Sequence, residues 1–154
     1  MNVVTHQFPL HTLLALALAC GLSSCGVGFN HDWRAAKNMP HDALSGAWEG
    51  SWNSEATGHT GKLRAIIAKS DSAHPDERQV RYWASWKSIL SASFTTRHTF
   101  TPHGRHFSLT GRHQMPNWVG GEYTYGGTAT ADHFSATYRS AFDHGKFEMQ
   151  RAGH

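Results

Sequence analysis

A chain of 154 residues has room for one domain, and its low charge (16% Asp, Glu, Lys and Arg), 15 glycines and 12% aromatic content favour β structure over helix. The formal net charge of +3 is spread along the chain without a Lys/Arg cluster, which argues against nucleic acid as a partner. Beyond residue 25 no segment carries the long uncharged apolar run that a membrane-spanning helix needs.

The first residues stand apart from the fold. Phe8 to Leu22 contains Leu13-Leu14-Ala15-Leu16-Ala17-Leu18-Ala19, too short to cross a bilayer and of the length of a signal-peptide core. The following Leu22-Ser23-Ser24-Cys25 resembles the lipobox of bacterial lipoproteins, in which a Leu and two small residues precede the cysteine that is diacylated. That resemblance implies a signal peptide over 1–24, lipid attachment at Cys25, and a membrane partner reached through the acyl chains in the cell envelope. The residues by themselves also allow ordinary secretion or a Cys20–Cys25 pair. If Cys25 is lipidated, Cys20 leaves with the signal, and the mature domain is held by packing and hydrogen bonds without a disulfide.

Residues 25–43 read as a tether, because Asn30 to Ala43 is polar with little periodicity. The alternative is a helix packed on the domain through Trp33, Ala36 and Met39. From 44 to 154 the period is two. In Leu44 to Trp52, residues Gly46, Trp48, Gly50 and Trp52 share one face, so two indoles enter the same core while the glycines leave room for close neighbours.

Lys62 to Lys69 follows as a second strand with Leu63, Ala65 and Ile67 inward and Ile66 breaking the alternation. Gln79 to Trp86 places Val80, Tyr82, Ala84 and Trp86 inward and Trp83 outward. Ile89 and Leu90, side by side, suggest an apolar loop over 87–91 tucked against the barrel end. Phe94, Thr96, His98 and Phe100 alternate again, Pro102-His103-Gly104 closes a hairpin, and Phe107, Leu109 and Gly111 continue the inner face. The hairpin is expected to set Thr101 opposite His106. A loop from Gln114 to Gly121 lets Trp118 fold over one mouth. Tyr123 and Tyr125, then Phe134, Ala136 and Tyr138, then Phe147, Met149 and Arg151 supply the last three strands, with Gly126-Gly127 either a tip or a bend. The expected fold is all-β: an eight-stranded antiparallel up-and-down barrel, the size at which the interior is just filled or just holds one small ligand.

The Gly-x-Trp of Gly46-Ala47-Trp48, with Arg151 near the chain end, resembles the calycin superfamily of lipocalins, fatty-acid-binding proteins and avidin-like barrels. The resemblance implies that Trp48 packs under the barrel floor beneath Arg151. Cost leads to the same place, since an inward Arg151 is tolerable only at the barrel end, stacked on Trp48 and bonded to carbonyls.

Chemistry is sparse. There is no nucleophile elbow, zincin helix, phosphate-cradling loop or inward pair of acids, so catalytic residues and cofactors are not expected. Of 13 histidines none forms His-x-His; His103 and His106 can meet at a hairpin tip, two ligands where a structural zinc wants four, so no metal site is expected. The expected role is non-covalent: a small apolar or aromatic ligand held by Trp52, Trp86, His98, Tyr123 and Tyr125, with Trp48 and Arg151 as floor. The alternatives are an envelope scaffold with a filled barrel that recognises partners through Trp83 and Trp118, or a small hydrolase or metal-binding barrel.

Overall fold

The computed structural model describes residues 28–39, 42–86 and 90–153. The signal, the lipobox with Cys25, and residues 87–89 of the expected apolar loop lie outside the described residues. Eight strands run antiparallel to their neighbours in chain order: β1 (Gly46–Ser54), β2 (Thr60–Ile67), β3 (Glu77–Trp86), β4 (Leu90–His103), β5 (His106–Gln114), β6 (Glu122–Ala129), β7 (His133–Arg139) and β8 (His144–Arg151). Pairing of β1 with β8, Trp48 opposite Arg151 and Trp52 opposite Phe147, closes the sheet into a calycin-like barrel and leaves no free edge.

Alternation decides what the barrel holds. Trp48, Leu63, Ala65, Val80, Tyr82, Phe100, Leu109, Tyr125, Phe134 and Met149 are buried inside, all on the inward phase of their strands. At the floor the Trp48 indole is fully buried, and its Nε1–H donates to the Leu44 carbonyl at 2.9 Å. The Arg151 guanidinium lies 4.8 Å from the indole centroid. Its nitrogens donate to three carbonyls, those of Ala43 (2.7 Å), Ser45 (2.8 Å) and Ala131 (2.7 Å), so each nitrogen of the inward cation has an acceptor where the barrel ends.

Two expectations are corrected along the strands, and an alternative left open at Gly126-Gly127 is decided. Leu90 is not tucked in a loop but opens β4 opposite Trp86 and is 43% exposed, because the ladder with β3 runs to its end and orders 90–93 as strand. The β4–β5 turn is tighter than expected: with only Gly104 and Arg105 between the strands, His103 faces His106 and Thr101 faces Ser108. Gly104 holds a φ of +66°, the left-handed conformation that such a two-residue turn requires. Gly126-Gly127 is no tip; both lie within β6, where a Cβ on Gly127 would strike the backbone of Ser135 and Ala136 on β7.

The expected tether is also corrected, in favour of a packed helix. Residues 28–38 form a helix, α1, lying on the outside of the barrel. Phe29, Trp33 and Ala36 recur at i, i+4 and i+7 and so share a face, which packs on Ala47, Ile66, Trp83 and Ala152. Met39, at 57% exposure, takes no part. Two arginines rivet the contact. Arg64 sits 4.4 Å from the Trp33 ring centroid and bonds Asn30 Oδ1 at 2.9 Å, while Arg81 sits 5.2 Å from the Phe29 centroid and pairs with Asp32 at 2.7 Å. Ile66, which breaks the inward pattern of β2, is thereby explained: it faces the helix.

Candidate ligand site at the open mouth

At the end opposite the Trp48–Arg151 floor the barrel opens into a cup of about 570 Å³. Its wall is built from strand residues on the inward phase: Trp52, Ala84, Trp86, Ala92, Phe94, His113, Tyr123, Tyr125, Tyr138 and Phe147. The loops at the rim add Thr57, His59, Met115, Val119, Phe142 and Asp143.

The hollow has a local cause. Ala84 and Ala92 stand opposite each other on β3 and β4, so two adjacent strands present a methyl group there, where Trp86 on β3 and Phe94 on β4, two residues along, present rings. Beside them, Gly61 gives the Trp52 indole its place, since a Cβ there would strike both the indole and the Ser85 carbonyl. The indole Nε1–H donates to that carbonyl at 3.0 Å, which fixes the ring as part of the wall. Across the cup, Tyr138 and Phe147 (5.0 Å between centroids) and Tyr123 and Tyr138 (6.2 Å) form a continuous aromatic surface. The Tyr123 hydroxyl donates to the Val119 carbonyl at 2.9 Å and pins the β5–β6 loop to the rim.

Polar groups gather on one side of this rim. The buried Ser54 hydroxyl donates to Asp143 Oδ1 at 2.6 Å, and the Tyr138 hydroxyl donates to Asp143 Oδ2 at 3.1 Å. Thr57 donates to Ser54 at 2.8 Å, and His59 Nδ1 lies 3.2 Å from the Thr57 hydroxyl. Burial, with the Asp143 carboxylate beside it, pushes the Tyr138 phenol well above its ordinary range; burial does the same to Tyr125.

Of the residues expected to hold a ligand, Trp52, Trp86, Tyr123 and Tyr125 line the cup and His98 does not. His98 is 1% exposed and lies one layer lower, edge-on to Tyr125 (5.0 Å) and with Nε2 3.1 Å from the Tyr82 hydroxyl. Gly111, directly opposite on β5, makes its seat, because a Cβ there would collide with the imidazole. Burial pushes this imidazole down to about 4, so it is a neutral core residue at pH 7.

The recognition surface expected of a scaffold is divided by the fold. Trp83 is covered by α1, and Arg64 lies 5.7 Å from its centroid. Trp118, in a single 3-10 turn at Asn117–Val119, is 71% exposed and is not part of the cup lining. His103 and His106 stack at 5.6 Å, at the end of the barrel remote from the cup. The sequence reading missed the rim: Met115, Val119, Phe142 and Asp143 sit in loops, where no periodicity applies. An available signal was Phe142, a large apolar side chain inside the turn Ser140 to Asp143.

Compared with protein-family models, curated proteins and solved structures, the chain matches none.

Proposed function

We propose that this chain is a lipid-anchored cell-envelope protein whose barrel binds a small apolar or aromatic ligand non-covalently in its open mouth. The observation that carries the reading is the cup itself, about 570 Å³ walled by aromatic side chains above a filled floor. That volume falls within the range of small-molecule sites, and an apolar wall with a few fixed polar groups is their usual composition. Cys25 of the lipobox-like Leu22-Ser23-Ser24-Cys25 supplies the anchor. Cys25 stands three positions before Gly28, the first described residue of α1, so acylation holds the helix, and the barrel it packs on, close to the bilayer surface.

Filling the cup tests the binding role. Ala84→Phe puts a ring into the space between β3 and β4 and is expected to weaken binding of the fluorescent probe N-phenyl-1-naphthylamine by about tenfold, a loss of about 1.4 kcal/mol. Circular dichroism should be unchanged, and full probe affinity in the folded variant refutes the site. Native mass spectrometry of the purified protein should in turn show a co-purified small molecule that Ala84→Phe lacks. For the anchor, metabolic labelling with a fatty acid is expected to depend on Cys25; label retained in Cys25→Ala overturns that assignment.

A further inference from the structure

The charge of the cup narrows the ligand class. Among the described residues its lining has one carboxylate, Asp143, and no lysine or arginine. Both Asp143 oxygens are held by neutral hydroxyls, of Ser54 at 2.6 Å and Tyr138 at 3.1 Å, which orient the group without cancelling its charge. Of the cations nearby, Lys146 on β8 is engaged with Glu55 at 3.0 Å, and Arg139 on β7, opposite His144, does not line the cup. Around the carboxylate the wall offers the rings of Trp52, Tyr123, Tyr138 and Phe142, whose negative π faces attract a cation and repel an anion. His59 and His113 are the other titratable groups of the lining besides the tyrosines.

Resting on the binding role proposed above, we infer that the ligand is an apolar organic cation, an ammonium or phosphonium centre on an aromatic or branched hydrocarbon body. The body fills the cup and the positive centre lies at the rim against Asp143. A neutral ligand of the same shape leaves that carboxylate without a counter-charge, and an anion meets it directly.

Tetraphenylphosphonium and tetraphenylborate share a shape and differ in sign, so the pair isolates charge. Titrated into the purified protein at pH 8, on the alkaline side of the histidine range, the phosphonium is expected to bind at least about tenfold more tightly than the borate. The overall charge of +3 favours anions, so this preference cannot come from the surface as a whole. Asp143→Asn is expected to weaken the phosphonium about tenfold and to remove most of its preference over the borate. Should that variant fail to fold, the wild-type preference decides. Equal affinity for the two ions, or a preference for the borate, overturns the cation while binding of the neutral probe keeps the cup. Loss of all three probes takes down the binding role itself.

Discussion

Trp48→Ala is expected to lower the stability of the barrel by about 4 kcal/mol, as judged by the urea midpoint of unfolding, the largest effect of any single side chain in the domain. The indole is fully buried, packs against Phe134 at 6.2 Å between centroids, and lies beneath the Arg151 guanidinium. Removing it opens a cavity and strips the cation of its stacking partner at once. Arg151→Met is expected to cost about 2 to 3 kcal/mol, because the carbonyls of Ala43, Ser45 and Ala131 lose their donors together. The two changes share one contact, so the double variant should lose less than the sum by about 1 kcal/mol. A neutral Arg151→Met, or strict additivity, would show that the guanidinium does not clamp the floor.

Acid is expected to destabilise the protein well before its carboxylates titrate, and His98 is the cause. Its folded imidazole takes a proton only near 4, whereas in the unfolded chain it does so near the ordinary value of 6.5. Between those values the unfolded state binds the extra proton, so stability is complete above about pH 6.5 and falls by about 3 kcal/mol as the pH approaches 4. Asp42 acts in a separate and lower window. Against the upward push of burial, hydrogen bonds from Ser45 N, Leu44 N and Arg78 hold its carboxyl at about 2, so its contribution is lost only from about 3.8 downward. In His98→Gln, whose amide can still accept from the Tyr82 hydroxyl, the midpoint should be nearly flat between pH 6.5 and 4. The hypothesis fails if the variant keeps the wild-type slope.

The same residue shows how far the sequence reaches. Period two assigns His98 to the inside as firmly as Phe94, and both are inside. Yet Phe94 lines the cup and His98 lies in the packed layer beneath, because four residues of strand span about 13 Å and alternation carries no information about height along the barrel. Height follows from register and closure, and those come from the ladders that join β1 to β8 and β4 to β5.

Outward residues show a second boundary. Ala47, Ile66 and Trp83 lie on three different strands, and each alone is an ordinary surface apolar residue. Only the folded sheet brings them into the strip that α1 covers. Phe29, Trp33 and Ala36 carry the helical spacing in the chain itself, but a helix this short is marginal in water until a partner face exists.

Determined by the sequence alone were the eight strands, which side of each faces in, and the meeting of Trp48 with Arg151. These follow from local alternation and from the cost of an inward cation, which acts wherever the chain places it. Decided by the tertiary structure were the docked helix, the depth of His98, and the hollow where Ala84 faces Ala92. Each of these is a juxtaposition of residues from different strands or segments, and a juxtaposition exists only once the register is set.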